Sequence, residues 1–129
     1  MGKKFLIDTN ILIYYFDNLI PVASEQIIDD IFLNSFNISI ISKIEFLGWH
    51  KFSEEQYEKG VSFLSGAHVV SLSDAIIDET IQLKRQKRIK FADSVIAATA
   101  LISDLTLVTR NSDDFKNIEG LDLYNPFLS

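Results

Sequence analysis

The strongest constraint on this chain is a pattern that repeats along its length: a short, apolar, unalternating run and then a helical segment. Strand-like runs occur at Lys4-Phe-Leu-Ile-Asp8, Asn37-Ile-Ser-Ile-Ile41, His68-Val-Val-Ser-Leu72, Thr106-Leu-Val-Thr109 and Leu121-Asp-Leu-Tyr124. Between them, helices are expected from Thr9 to about Phe16, over Val22 to Asn34, from Ser42 and from Ser53 to about Leu64, over Asp74 to Arg88 and over Ala92 to Ile102. Strands that lack in–out alternation are those covered on both faces, and strands separated by helices pair in parallel. The expected fold is therefore an α/β/α three-layer sandwich around a mainly parallel sheet of four to five strands. With 129 residues, the chain is expected to form a single domain over 1–129.

In such sheets ligands bind beyond the carboxyl ends of the strands. The residues just past each strand therefore decide what the fold can do, and acids recur there. Asp8 closes the first strand, Glu45 lies one turn past the second, and Asp93 opens the helix after a basic run. Asp113 and Asp114 lie just past the fourth strand. Each acid has a structural alternative. Asp8 can cap the helix after it, and Ser42-Lys-Ile-Glu45 matches a capping box, with Glu45 returning to the Ser42 amide. Asp113 or Asp114 can be a turn residue. Asp93 is hardest to explain structurally, because the helix it opens is apolar on nearly every side. A carboxylate buried there without a partner is costly.

Four carboxylates at one sheet end repel by roughly 4 kcal/mol per close pair at an intermediate effective dielectric. A hard divalent cation removes that penalty. Magnesium takes oxygen ligands, uses few carboxylates directly and retains water, and such an ion polarises phosphodiesters and lowers the pKa of water. The absence of cysteine excludes disulfides, thiolate metal sites and cysteine nucleophiles, and suits a reducing compartment. His50 and His68 are not spaced as a metal pair, and no glycine-rich phosphate loop is present. The longest apolar runs fall far short of the roughly 20 residues a membrane span needs, and a cytoplasmic protein is expected.

Eighteen acids against twelve bases give a net charge of −6, which taken alone argues against a nucleic-acid partner. The distribution matters more. Lys84, Arg85, Lys87, Arg88 and Lys90 crowd one stretch that ends three residues before Asp93. Such a run is ordinarily a solvated face; beside an acidic site it can hold a phosphate backbone.

Phe5-Leu-Ile-Asp-Thr-Asn-Ile-Leu12, the lone Glu45, Asp93-Ser-Val-Ile-Ala-Ala-Thr-Ala100 and Leu107-Val-Thr-Arg-Asn-Ser-Asp-Asp-Phe115, taken in this order, resemble the PIN-domain family. The closing Asn125-Pro-Phe127 resembles its VapC-type toxin branch. The resemblance implies a magnesium-dependent endoribonuclease, with manganese able to substitute, acting as the dimeric toxin of a toxin–antitoxin pair. Carried over, it makes Asp8, Glu45, Asp93 and Asp114 the catalytic acids, with Asp8 and Asp93 the principal metal ligands. Thr9, Asn10, Thr109 and Asn111 become the groups that orient them. By position rather than by resemblance, Lys87, Arg88 and Lys90 of the basic run are placed to hold the RNA backbone, with Arg110 a second candidate. Some members carry an acid where this chain has Asn111, which leaves that side to Asp113 or Asp114; the Asp-Asp-Phe ending favours Asp114.

The implied partners are RNA, a cognate antitoxin protein and a second copy of the chain, with no membrane. An apolar surplus on the helices points the same way, since Tyr14, Tyr15, Phe16, Phe46, Leu47, Trp49 and Phe52 are more than so small a domain is expected to bury. Two other functions compete. A phosphohydrolase using Asp8 as a covalent nucleophile generally has a second acid two residues on, where this chain has Asn10. A silent relative that only binds RNA or protein does not need four acids.

Overall fold

The computed structural model describes residues 3–128. Its sheet contains β1 (Phe5–Ile7), β2 (Asn37–Ser39), β3 (His68–Val70), β4 (Thr106–Val108) and β5 (Leu123–Tyr124), in the order β3-β2-β1-β4-β5 with every pairing parallel. The expected α/β class and parallel sheet are observed, with all five strands present.

Alternate residues of β1 and β4 feed two separate cores, one on each face of the sheet, which makes the molecule three-layered. Ile7, Ile38 and Val108 point to one face. There they meet α1 (Thr9–Phe16), α2 (Glu25–Asn34), α3 (Ile40–Leu47) and α4 (Glu54–Leu64). Leu6 and Leu107 point to the other face and pack on α5 (Asp74–Gln86) and α6 (Phe91–Ser103). The α6 stretch Ser94–Ala100 is buried throughout, as its apolar sequence requires.

Several expected boundaries shift, most consequentially around the second strand and the helix after it. The second strand stops at Ser39, not Ile41, because the Ser39 hydroxyl accepts from Ile41 N at 3.1 Å and starts α3 there. Ser42 therefore lies inside α3, and the capping box expected at Ser42 and Glu45 does not form. The true capping box is at α4, where Ser53 and Gln56 exchange hydrogen bonds at 3.1 and 2.9 Å. The helix expected from Asp74 to Arg88 ends at Gln86, with Lys87 extended.

The aromatic surplus is mostly internal. Tyr15 stacks on Phe32 with ring centroids 3.9 Å apart, Phe16 meets Phe46 edge-on at 5.3 Å, and Phe63 sits among Phe16, Phe32, Phe36 and Phe46. Counting rings overstated the exposed apolar area, because edge-to-face and stacked packing lets one small layer absorb many of them. Trp49 is the exception, at 47% exposure. Among the described residues, no helix is long and apolar enough to cross a membrane.

Candidate active site

The strand order dictates where a site can form. The chain runs outward from β1 to β2 and β3, then returns to place β4 on the other flank of β1. The sheet's switch point thus lies between the carboxyl ends of β1 and β4, where crossovers leave in opposite directions and open a crevice. Register puts Ile7 beside Val108, so Asp8 and Thr109 are the first residues beyond the sheet on each side. Asp8 N donates to the Val108 carbonyl at 2.9 Å, extending the pairing to the lip of the crevice.

Asp8 is 4% exposed and caps α1. Its Oδ1 accepts from Thr9 N at 2.8 Å. Its Oδ2 accepts from the Thr109 hydroxyl at 2.7 Å and from Asn10 Nδ2 at 3.2 Å. Capping does not exclude a second role, because the groups that fix its orientation are uncharged and leave its charge unneutralised. Burial pushes its pKa up to about 6, and the charges of Asp93 and Glu45 push the same way against the hydrogen bonds from Thr109 and Thr9.

Asp93 stands half-buried in the first turn of α6. It does not cap the helix, whose N-cap is Lys90 with no side-chain hydrogen bond. Burial raises its pKa, the Asp114 charge adds to this, Lys90 opposes it, and Glu45 adds again. The four acids expected to converge thus form one electrostatically linked group across β1, α3, α6 and the turn after β4. Among the described residues, however, no three acidic or imidazole groups stand close enough to make a ready-made metal cage. An open arrangement of this kind suits a cation that keeps much of its water and takes only one or two carboxylates directly. Carboxylate and hydroxyl oxygens are the donors at hand, which is the donor set of a hard ion.

The flanking polar residues divide unequally. Thr9 donates from its hydroxyl to Glu45 Oε1 at 2.7 Å and shares a 3.0 Å hydrogen bond with Ser42, so it links α1 to the exposed acid of α3. Asn10 bridges Asp8 and the backbone of Arg110, accepting from Arg110 N at 3.2 Å. Asn111 reaches the site through its backbone, donating to the Thr109 hydroxyl at 3.0 Å. Ser42, fully buried, was missed as a member of this network. Its spacing of three from Glu45 was the one local signal, since it places both on one helix face.

Asp113 and Asp114 separate cleanly. Asp113 pairs with Lys116 at 3.6 Å in the open. Asp114 is the one whose charge reaches Asp93, and it shares a cleft of about 260 Å³ with Lys87, Arg88, Ile89, Asn117 and Ile118. The basic run divides too. Lys84 and Arg85 lie in the last turn of α5, where cations complement the helix dipole, and Lys84 Nζ donates to the Ile89 carbonyl at 2.7 Å. Lys87, Arg88 and Lys90 remain beside the acids. Arg110 is folded back: Nη1 donates to the Tyr14 hydroxyl at 2.6 Å, and the guanidinium lies 5.0 Å from the Tyr14 ring and 4.5 Å from that of Phe127.

Comparison with known proteins agrees with this fold. The chain is similar to a toxin–antitoxin complex from Klebsiella pneumoniae, at 27% identity and a TM-score of 0.76, over 98% of this chain and 100% of that one. It is equally similar to VapBC2 from Rickettsia felis bound to a DNA fragment from its promoter, at 27% identity and a TM-score of 0.77, over 94% and 97%. DNA-bound VapBC from Salmonella typhimurium, at 24% identity and a TM-score of 0.79 over 97% and 99%, shares the fold. No curated protein sequence matches the chain. A family profile described as PIN domain matches residues 5–121, a span that holds all four acids and every strand but the last, and the chain belongs to the PIN-domain family.

Proposed function

We propose that this chain is a divalent-metal-dependent endoribonuclease, the toxin of a toxin–antitoxin pair. The observation that carries the reading is Asp8. It is a buried carboxylate with pKa raised to about 6, fixed by three hydrogen bonds and flanked by the charges of Asp93 and Glu45. A protein that only needed a helix cap there has no use for two further acids beside it. Asp8 and Asp93 hold the ion, magnesium with manganese able to replace it, and Glu45 and Asp114 complete the negative rim. When bound, the ion supplies neutralising charge to a phosphodiester and lowers the pKa of water. Around it, Thr109 and Asn10 fix the Asp8 carboxylate, Thr9 fixes Glu45, and the β1–β4 crevice seats the scissile linkage. A panel of RNAs with magnesium, manganese or EDTA tests the reading. Cleavage is expected with either ion and none with EDTA, and cleavage undiminished by EDTA would overturn it.

Lys87, Arg88 and Lys90 hold the RNA backbone on this reading, since they flank Asp114 and Asp93 without the structural bonds that occupy Lys84. Replacing all three by Ala is expected to lower the slope of log affinity against log salt by about 2, at roughly 0.7 per phosphate contact of a single strand. Metal affinity is expected to change little. An unchanged slope would make the run ordinary surface.

The toxin reading draws on the two similar structures at 27% identity, one described as a toxin–antitoxin complex and the other as VapBC2. A cleft of about 210 Å³ lined by Ile13, Phe16, Asp17, Phe46, Trp49 and Phe52 suits an apolar antitoxin segment, and a basic side chain from it neutralises the acids in place of metal. Relief of growth inhibition by a co-expressed neighbouring small protein that copurifies supports this partner; inhibition that persists without complex formation removes it. The free protein is a homodimer on the same reading, and sedimentation as a strict monomer at micromolar concentration would refute that.

A further inference from the structure

The segment after β5 makes none of the hydrogen bonds to the acids described above, yet it grips the loop that carries Asp114. Asn125 Nδ2 donates to the Arg110 carbonyl at 2.8 Å and reaches Ser112 Oγ at 3.1 Å. Ser112 opens the short 3-10 turn that ends at Asp114. Asn125 is held in turn, because its Oδ1 accepts from Phe127 N at 2.8 Å, and Ser24 Oγ donates to the Pro126 carbonyl at 2.6 Å. The Phe127 ring packs on Tyr14 at 5.0 Å, and the Arg110 guanidinium lies against both rings. From the same loop, Arg110 N donates to Asn10, and Asn10 donates to Asp8. One continuous set of contacts therefore runs from the segment after β5 to the buried acid and to the turn of Asp114.

We infer that Asn125-Pro126-Phe127 is a positioning strap that sets the place of Asp114 relative to Asp8 and Asp93, and so sets the affinity of the site for its divalent cation. This deepens the metal-site reading and rests on it. The physical need is plain. Asp114 and Asp93 repel, and the turn that carries Asp114 has backbone hydrogen bonds only within itself, from Asp114 N to Asn111 and from Phe115 N to Ser112. Phe115, buried in the core beside α5 and α6, anchors the turn behind Asp114, but on its Arg110–Ser112 side the turn relies on the contacts from Asn125. Without an outside grip the repulsion pushes Asp114 outward, and the cation must then pull it back at the expense of binding. In this arrangement Arg110 is a fastening of the strap, its Nη1 and its flat face both engaged.

The test uses the full chain with Asn125→Ala, Phe127→Leu and Phe127→Tyr, and manganese as the probe. Calorimetry or the electron paramagnetic resonance of free manganese gives the affinity, and amide hydrogen exchange gives the mobility of residues 110–115. Asn125→Ala and Phe127→Leu are each expected to weaken manganese binding roughly ten-fold, the first on the scale of one or two lost hydrogen bonds, the second on that of the lost ring contacts with Arg110 and Tyr14. Exchange is expected to quicken across 110–115 while α1 and α6 keep their protection. Phe127→Tyr, which keeps the ring under Arg110, is expected to bind as the parent does. Unchanged affinity in both disrupting variants would overturn the strap while leaving the metal site standing, and so would a loss of protection throughout the chain. A parent protein that binds no manganese would overturn the metal reading and the strap together.

Discussion

Asp93→Asn is expected to abolish RNA cleavage, by about a thousand-fold or more, without unfolding the domain. The size comes from the charge stabilisation that a correctly held divalent ion contributes to phosphodiester cleavage, several kcal/mol, each 1.4 kcal/mol being about ten-fold in rate. Folding is expected to survive because Asp93 contributes no cap to α6, whose start is Lys90. The substitution also removes a charge that Asp114 and Glu45 repel, so the metal-free variant is expected to melt no lower than the parent. Cleavage kinetics with a fluorogenic RNA, beside thermal unfolding in EDTA, measure both halves. If the variant unfolds, Asp93 is chiefly structural. If it folds and still cleaves, the acidic site is not where the chemistry happens.

Asp8, Glu45 and Asp114 were legible in the sequence because each comes after a strand, and strands in a parallel sheet all end on the same side; Asp93, which follows a helix, was legible only as a carboxylate opening an apolar helix. Which strands are neighbours was not legible. The meeting of Asp8 with Thr109 depends on β4 lying against β1, and crossover helices fix the direction of a strand far better than its place in the sheet. Helix starts were misplaced where two cues competed. Ile40 and Ile41 continue an apolar run that reads as strand, yet the Ser39 hydroxyl had already turned the chain into α3. The same shift turned Ser42 and Glu45 from an apparent capping box into two partners of Thr9.

Side chains held by contacts distant in sequence were the other part that the sequence did not announce. Arg110 looks, by charge and position, like a contact for RNA, and nothing local in the sequence announces that Tyr14 and Phe127 hold it. The information lies in residues about a hundred positions before it and seventeen after it. Asn125 is legible only in the same non-local way, through its bonds to Arg110 and Ser112. By contrast, the division between Asp113 and Asp114 has a local cause. Lys116 lies three residues past Asp113 and draws it outward.

Asp8→Asn is expected to stabilise the metal-free protein at pH 7.5 and to flatten its dependence on pH. The folded pKa of Asp8 is raised from 3.8 to about 6. A group shifted in this direction contributes stability that is fully present below its unfolded pKa and is lost as pH rises through the folded one. Between about pH 4 and pH 7 the parent therefore loses up to about 3 kcal/mol from this single carboxylate, at 1.36 kcal/mol per pKa unit. Asparagine has no charge to desolvate. Its carbonyl still accepts from Thr9 N, but its amide meets the Asn10 amide and requires the Thr109 hydroxyl to turn and accept, a mismatch of about 1 kcal/mol. The net gain at pH 7.5 is then about 2 kcal/mol, fading and reversing in sign toward pH 4, where the parent carboxyl is itself neutral. Urea unfolding in EDTA at both pH values gives the difference directly, and comparing parent with variant cancels the other acids of this chain, whose net charge is −6. Saturating magnesium reverses the order at pH 7.5, because an ion that binds only the folded parent stabilises it by mass action while the variant gains little. Parallel pH profiles for the two proteins would mean that Asp8 is an ordinary helix cap, and the acids beside it would then need another explanation.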